Sequence, residues 1–273
     1  MRITLGASSP AATSLPGSEL LPGPELARRR IAGRSPARNE MGYAGAMKLN
    51  ADFAVRAAVH AARLAWVPSP GAGVERRMLD RIGDEVARAT SIVRYAPESH
   101  FSAHRHGGGE EFLVLDGVFQ DEHGDYPAGY YIRNPPTSAH TPGSNEGCTI
   151  FVKLWQFAPE DRSHVRIDTN KMPFIPDRDR AGVEVMPLFR DADEYVRLER
   201  WSPGAVVSLP NPGGAELLVV DGSFEEAGER FDPQSWLRLP VRQPLHAKAG
   251  AEGCTVWMKT GHLARVRGAD IPV

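Results

Sequence analysis

The chain predicts an all-β protein made of two copies of one small domain. Glycine and proline are abundant, at 27 and 23 residues, as many turns require. Between the turns lie short apolar runs such as Phe112–Leu115 and Cys148–Trp155. The third observation is a repeat. The segment EGCTIFVK (Glu146–Lys153) returns as EGCTVWMK (Glu252–Lys259), and EFLVLDG (Glu111–Gly117) returns as ELLVVDG (Glu216–Gly222). Each copy spans roughly a hundred residues, the size of one small domain.

The totals narrow the function classes. Hydrophobic content of 41% and charged content of 24% are ordinary for a soluble globular protein. A formal net charge of -2 gives no general basic field for nucleic acid or anionic membranes, so neither is expected as a partner. Cys148 and Cys254 are the two cysteines, too few for a disulfide framework, and a reducing, cytoplasmic setting is expected. No apolar run approaches the ~20 residues of a spanning helix.

Residues 1–46 read differently from the rest. Pro10, Pro16, Pro22, Pro24 and Pro36 interrupt any pattern. Nothing supplies the ~7–15-residue apolar core of a secretory signal. Glu19 and Glu25 weigh against organelle targeting, and a disordered extension is expected. From Asn50 to Trp66 the signals conflict. Alanine richness favours helix, whereas Val55, Ala57, Val59 and Ala61 alternate as in a strand. Pro68–Gly71 marks a turn, and Thr90, Ile92 and Val93 centre a strand within Met78–Tyr95.

The chemistry concentrates in His104–Glu111 (HRHGGGEE). Two alternating histidines leave an extended strand on one face. Gly107–Gly109 permit a tight turn with positive φ, and an acid follows. Phe112–Leu115 then runs to the turn pair Asp116-Gly117. The expected geometry is a β-hairpin that gathers two imidazoles and one carboxylate. That donor set suits Zn, Fe, Mn, Ni or Cu better than Mg or Ca. Alternation groups Glu110 with Phe112 and Val114, and Glu111 with Leu113 and Leu115. The glycine turn interrupts the count, so both acids stay open on this ground.

Val118-Phe119 and Tyr130–Ile132 supply further strands, and Cys148–Trp155 a long closing one. Cys148 shares a face with Ile150, Val152 and Leu154, and a buried thiol is expected. His123 falls in the Asp121–Asp125 turn and is expected to be solvated; His60 and His164 are assigned no role. Alternation makes Phe112, Val114 and Tyr131 candidates for lining an interior pocket. Arg133 is expected to be solvated or salt-bridged, with contact to an acidic substrate as the other reading. Ala158–Ala181, with Pro159, Pro173 and Pro176, reads as an exposed linker.

From His104 to Gly117 the spacing H-x-H-x3-E-x6-G resembles the first signature of the cupin family. Pro136–His140, after Gly124–Gly129, resembles the second, which supplies one more histidine. Here P-x-S-x-H stands one residue shorter than the usual P-x-G-x-x-H. A closer resemblance is to the cupin domain of the ChrR anti-sigma factors and to free-standing ChrR-like cupins. Gly109–Phe119, Asp121–Gly129 and Arg133–Pro136 carry it, and it spans roughly Asn50 to Phe157.

The resemblance implies two tandem cupin barrels (double-stranded β-helices, or jelly rolls), whose interior can hold a ligand near a metal. Residues 47–160 would form the metal-binding barrel and 161–273 a degenerate second one. The implied ligands are His104, His106, Glu110 and His140, holding one divalent transition metal per chain, zinc or iron, with manganese or nickel also compatible. The resemblance favours extended chain over Asn50–Trp66. It also begins late enough to make Met41 or Met47 a candidate translation start. No cysteine precedes Cys148 and no histidine precedes His60. The zinc domain by which ChrR proteins grip a sigma factor has no counterpart in that stretch, and an anti-sigma role is not expected.

Alignment of the copies through the hairpin puts Leu209 opposite His104, Asn211 opposite His106 and Ala215 opposite Glu110. With one extra residue allowed, His246 falls opposite His140. The second barrel is expected to be metal-free, with His246 a leftover polar residue or a pocket lining. Glu111 aligns with Glu216, so a glutamate persists where the metal set is lost, which favours a structural role for Glu111.

Three imidazoles and one carboxylate leave one or two coordination positions open on a five- or six-coordinate metal, which permits Lewis-acid or oxygen chemistry. The first expectation is a small-molecule sensor or accessory protein. The alternative is an Fe(II)-dependent small-molecule dioxygenase of the diketone- or hydroxyaryl-ketone-cleaving type. A third is a storage- or scaffold-like pair of barrels. The expected partner is a small-molecule ligand or substrate, and a homodimer is compatible with the sequence.

Overall fold

The computed structural model describes residues 46–269. The extension expected before residue 46, with the candidate start at Met41, lies outside the described residues. Two antiparallel sheets repeat one order. In the first the order is Lys48–Leu49, Val74–Ile82, Arg88–Tyr95, Cys148–Leu154, Glu110–Asp121, Tyr130–Asn134, Val165–Asp168. In the second it is Ile175–Pro176, Val183–Arg190, Tyr195–Trp201, Leu245–Thr260, Ala215–Glu226, Ser235–Leu239, Ala57–His60. From the Val74 and Val183 strands onward the two orders match, and each sheet belongs to one jelly-roll barrel. Among the described residues no helix is long and apolar enough to cross a membrane.

The last strand of each sheet comes from the other copy. Ala57–His60 pairs with Ser235–Leu239, while Val165–Asp168 pairs with Tyr130–Asn134. The Asn50–Trp66 stretch therefore contributes a strand, followed by a 3-10 turn over Ala61–Arg63. Its small alternating side chains allow this. Ala58 packs on the core inside the second barrel, and Ala57 and Val59 on the core between the barrels. The expected linker is correspondingly less irregular than its prolines suggest. It holds the Val165 strand, a 3-10 turn over Thr169–Lys171 and the edge strand Ile175–Pro176.

Two local expectations are corrected. Asp116-Gly117 does not end a strand. Gly117 takes φ +69° at a register shift, and Glu110–Asp121 runs through it as one twelve-residue strand with a bulge. The hairpin expected from His104 to Leu115 does not form either. His104-Arg105 pairs with Ala139-His140, and the three glycines lead the chain from one sheet to the other. Of the three, Gly109 alone has positive φ, +79°. Gly107 and Gly108 are needed for another reason: a Cβ on either would collide with the Trp155 ring.

Strand alternation divides the apolar residues among three cores. Phe112, Val114, Ile150 and Val152 fill the first barrel beside Phe119, Tyr126 and Cys148. Leu217, Val219, Phe224 and Trp201 fill the second. Leu113 and Phe151 turn outward and meet Leu218 and Trp257 of the other barrel. Phe151 and Trp257 occupy equivalent positions in the repeats, and their rings meet edge to face at 4.9 Å. Tyr131 belongs to this shared core, so it faces the partner barrel and not a pocket.

Buried charges cross the same interface in a pseudo-twofold pattern. Lys153 of the first copy bonds Glu216 of the second, and Lys259 of the second bonds Glu111 of the first at 2.8 Å. Glu194 joins Lys259 at 2.9 Å and Arg133 at 2.5 Å. Arg133 also meets Asp161 at 2.9 Å and lies between the rings of Phe157 and Phe189. Arg133 is thus a salt-bridged interface residue. Burial alone would push the Glu194 carboxyl up, but Lys259 and Arg133 outweigh it and hold the group down, from 4.5 to about 2. Its contribution to stability is therefore complete above 4.5 and is lost as pH falls from there through about 2. Lys259→Met would leave the buried Glu111 without its hydrogen-bonded cation and Glu194 with Arg133 alone, so a loss of about 3–5 kcal/mol is expected. Urea unfolding at neutral pH checks it, and the deficit relative to wild type should shrink as pH falls through the Glu194 window.

Candidate metal centre

Four side chains converge at one end of the first barrel. The ligand-capable atoms of His104, His106, Glu110 and His140 all lie within 4.8 Å of one another. Each has a different structural origin. His104 and His140 sit opposite each other in the short two-stranded ladder, so their side chains share a face. His106 follows two residues on. Its backbone N–H donates to the Ser138 carbonyl at 2.9 Å, and its own carbonyl accepts from Thr137 N–H at 2.8 Å. Glu110 opens the long strand on the face shared with Phe112 and Val114, and so points into the barrel.

The imidazole rings stand nearly perpendicular, with centroids 4.7 to 5.1 Å apart. Nε2 of His106 and Nε2 of His140 lie 3.4 and 3.5 Å from Glu110 Oε2. Both nitrogens are buried without a hydrogen-bond partner. A buried polar atom without a partner is costly, and two aimed at one carboxylate oxygen fit a cation between them.

The surroundings fix which nitrogen faces inward. Ser138 Oγ donates to the Pro135 carbonyl at 2.6 Å. It can therefore accept from His106 Nδ1–H at 2.9 Å, which leaves the Nε2 lone pair directed at the cluster. His140 Nδ1 faces Asp121 Oδ2 at 3.4 Å with the same consequence. Asn134 Nδ2 donates to Glu110 Oε2 at 3.2 Å and holds the carboxylate. Such oriented partners are what a metal-ligating histidine or carboxylate needs.

Burial pushes the His106 imidazolium down, which favours the neutral, metal-binding form. Burial also pulls His140 down, but the Asp121 hydrogen bond and Glu110 outweigh it and raise it. His104 is exposed and forms the open side of the group.

Glu111 lies on the opposite strand face, where its Oε2 accepts from Lys259 across the interface, so the strand parity that alternation suggested holds across the glycine turn. Cys148 is buried in the first barrel's core, and burial pushes its thiol up to about 11. His123 is exposed. Phe112 and Val114 do face the interior, but as packed core.

The open space lies beside them, a cavity of about 380 Å³ bordered by His104, His106 and Glu110 and floored by Ile150, Val152 and Leu154. The first barrel's Arg76, Arg81 and Ser91 also border it, none of which alternation had marked.

The second barrel places Leu209, Asn211 and Ala215 where alignment expected them. The fourth position is corrected. Leu209 pairs with Leu245 as His104 pairs with His140, so Leu245 replaces His140. The extra residue falls after this position, not before it. His246 points outward and bonds Ser208 Oγ through Nδ1 at 3.2 Å. Asn211 Nδ2 donates to the carbonyls of Pro240 and Gln243, at 3.3 and 2.8 Å. Among the described residues no second group of three or more such ligands occurs.

Asp121→Asn keeps the hydrogen-bond geometry and removes the charge behind His140. Metal affinity is expected to fall roughly 10–100-fold, read by competition with a chelating dye. A proton competes with the metal for His140, so affinity declines as pH falls through its raised pKa. In the variant that decline should move to lower pH.

Solved structures share this architecture. A protein from Nostoc punctiforme provisionally assigned as a dioxygenase is 15% identical, with a TM-score of 0.60 over 82% of this chain and 85% of its own. Protein Ylba from E. coli is 15% identical, with a TM-score of 0.59 over 81% and 95%. A deletion mutant of the Bacillus subtilis oxalate decarboxylase OxdC is 12% identical, with a TM-score of 0.53 over 75% and 76%. At such identity the likeness is one of fold. No curated protein matches the chain. The model of the ChrR cupin-like domain matches residues 54–158 and again 162–264, so the two barrels are two copies of that domain. The chain belongs to the ChrR cupin-like family.

Proposed function

We propose that the first barrel holds one divalent transition metal on His104, His106, Glu110 and His140 and offers it to a small molecule in the adjoining cavity. On this reading the protein is a small-molecule sensor or accessory barrel of ChrR-like type. The observation that carries it is the pair of buried, partnerless Nε2 atoms facing one carboxylate oxygen, with the Nδ1 side of each ring already engaged. Bound there, zinc would supply a Lewis acid and iron, in addition, oxygen chemistry. The chain's own contribution is to hold the ring orientations, to neutralise part of the charge with Glu110, and to keep an apolar wall beside the open side. The second barrel, with Leu209, Ala215 and Leu245 at three of the four positions, is a structural partner.

A second reading is supported by the cavity itself. A space of about 380 Å³ that opens on the exposed edge of the ligand group is large enough for a compact substrate. An Fe(II)-dependent dioxygenase acting on diketones or hydroxyaryl ketones fits that arrangement.

Protein purified without added metal should contain one equivalent of transition metal per chain, by mass spectrometry. His106→Ala should lose it. Two equivalents, or one retained in the variant, would overturn the assignment. Loading with Fe(II) and following oxygen uptake with diketones and hydroxyaryl ketones separates the readings. Turnover favours the dioxygenase; zinc at full occupancy with no uptake favours the sensor.

A further inference from the structure

The cavity beside the ligand group contains a second feature. Arg76 and Arg81 both border it, five residues apart on one strand. A regular strand would send them to opposite faces. A register shift between Met78 and Asp80 inserts one residue and brings both onto the cavity face. Their cross-strand partners Val93 and Ala89, with Ser91 between, border the same space, as do the next strand's Ile150, Val152 and Leu154.

Neither arginine has a salt-bridge partner among the described residues. Arg81 is only 4% exposed, and its single hydrogen bond runs from Nε to the Gly83 carbonyl at 3.0 Å. Arg76 Nε is buried with no partner at all. Burial and the neighbouring Arg76 cation push the Arg81 guanidinium down against the opposite pull of Glu85 and Asp84, so the two positive groups lie near each other, Arg81 buried and Arg76 half-buried. Glu85 also borders the cavity but is exposed at its rim and forms no salt bridge with either. A buried guanidinium ordinarily has a carboxylate or equivalent acceptors.

The second barrel shows that arrangement completed. By register, Glu199 occupies the place of Val93 and Val185 the place of Arg76. Glu199 is fully buried. It accepts from Arg180 at 2.9 Å through each oxygen, from Arg197 Nε at 2.7 Å and from Trp201 Nε1 at 2.8 Å. Where the metal set is missing, the barrel carries its own carboxylate for its interior arginines. Where the metal set is present, valine stands in that place and the arginines face open space.

We propose that the first barrel's cavity binds an organic carboxylate, its anionic group held by Arg76 and Arg81 and its other end directed at the His104, His106, Glu110 and His140 group. The assignment rests on the proposed metal site for the second half of this description only. Arg81, Ala89, Leu154 and Glu110 lie in one row across four adjacent strands. Three strand spacings put the ends of that row roughly 14 Å apart at the backbone, which side chains from both ends shorten to the length of a small acid. The floor between is apolar, so the ligand has a hydrocarbon or aromatic middle. Arg105, exposed at the mouth, adds to the positive field that would draw such an anion in.

The test is calorimetric titration of the purified full chain with short aliphatic dicarboxylates, α-hydroxy acids and benzoates, each beside its uncharged amide. At least one acid should bind roughly tenfold or more tightly than its amide. That preference should disappear in Arg76→Val, which copies the second barrel's residue, and in Arg81→Gln, and survive in Arg81→Lys. Thermal melts confirm that each variant is folded; if Arg81→Gln is not, Arg76→Val and Arg81→Lys decide. The proposal is overturned if no acid outbinds its amide, or if the preference persists unchanged in Arg76→Val. Metal content is measured in every sample. A metal-loaded protein without arginine-dependent acid binding removes the carboxylate site and leaves the metal reading intact. Arginine-dependent binding to protein that takes up no metal does the reverse.

Discussion

The crossed lysine–glutamate pairs are the constraint on which the arrangement depends. An ammonium group fully removed from water has to meet an anion, and Lys153 and Lys259 find theirs on the opposite barrel. That requirement fixes the face of each long strand. With Glu111 turned toward Lys259, Leu113 must also face the partner barrel, and Glu110, Phe112 and Val114 must face inward. A slip of one residue would send Glu110 to the interface and break the buried Glu111–Lys259 pair. The position of the candidate metal-binding carboxylate is therefore set by a contact on the other side of the sheet.

The two barrels show two solutions to one packing problem. A jelly-roll interior must be filled or must pair whatever polar groups it contains. The second barrel packs Leu245, Trp201 and Met258 in its core with Leu209 against them, bonds its buried Glu199 and the Asn211 Nδ2 group to neighbouring atoms, and leaves open space at a mouth bordered by Arg180, Arg190 and Arg197. The first keeps a cavity and surrounds it with imidazoles, a carboxylate and two guanidinium groups. Its polar atoms are well supported from behind, by Ser138, Asp121 and Asn134, and unpaired in front. Rigid support with an unpaired front is the form a binding site takes when its missing partners arrive from solution.

Much of this was legible in the residues. The repeat announced two like domains, and the alternation of His104 and His106 with an acid after the glycines pointed to a metal-ligand cluster. Glu111 was separable from Glu110 because its counterpart Glu216 survives in a copy without the ligand set. What was not legible depends on pairing and bulges. His104 finds its partner strand at Ala139-His140, a contact across the fold that local spacing does not encode. The register that puts Leu245 and not His246 opposite Leu209 depends on where one extra residue is accommodated, which a gapped alignment leaves free. The Val165 strand lies among prolines and charges and is extended because the Tyr130 edge receives it. Arg76 and Arg81 share a face only through the bulge after Met78, and strict alternation separates them.

The exchange of outer strands has a consequence of its own. Each half-chain supplies the outermost strand of the sheet it does not otherwise build, through equivalent segments at Ala57–His60 and Val165–Asp168. This is the geometry of two identical subunits clasping each other, rewritten on a single polypeptide. Neither barrel can therefore be cut away from the other without losing a strand of its sheet.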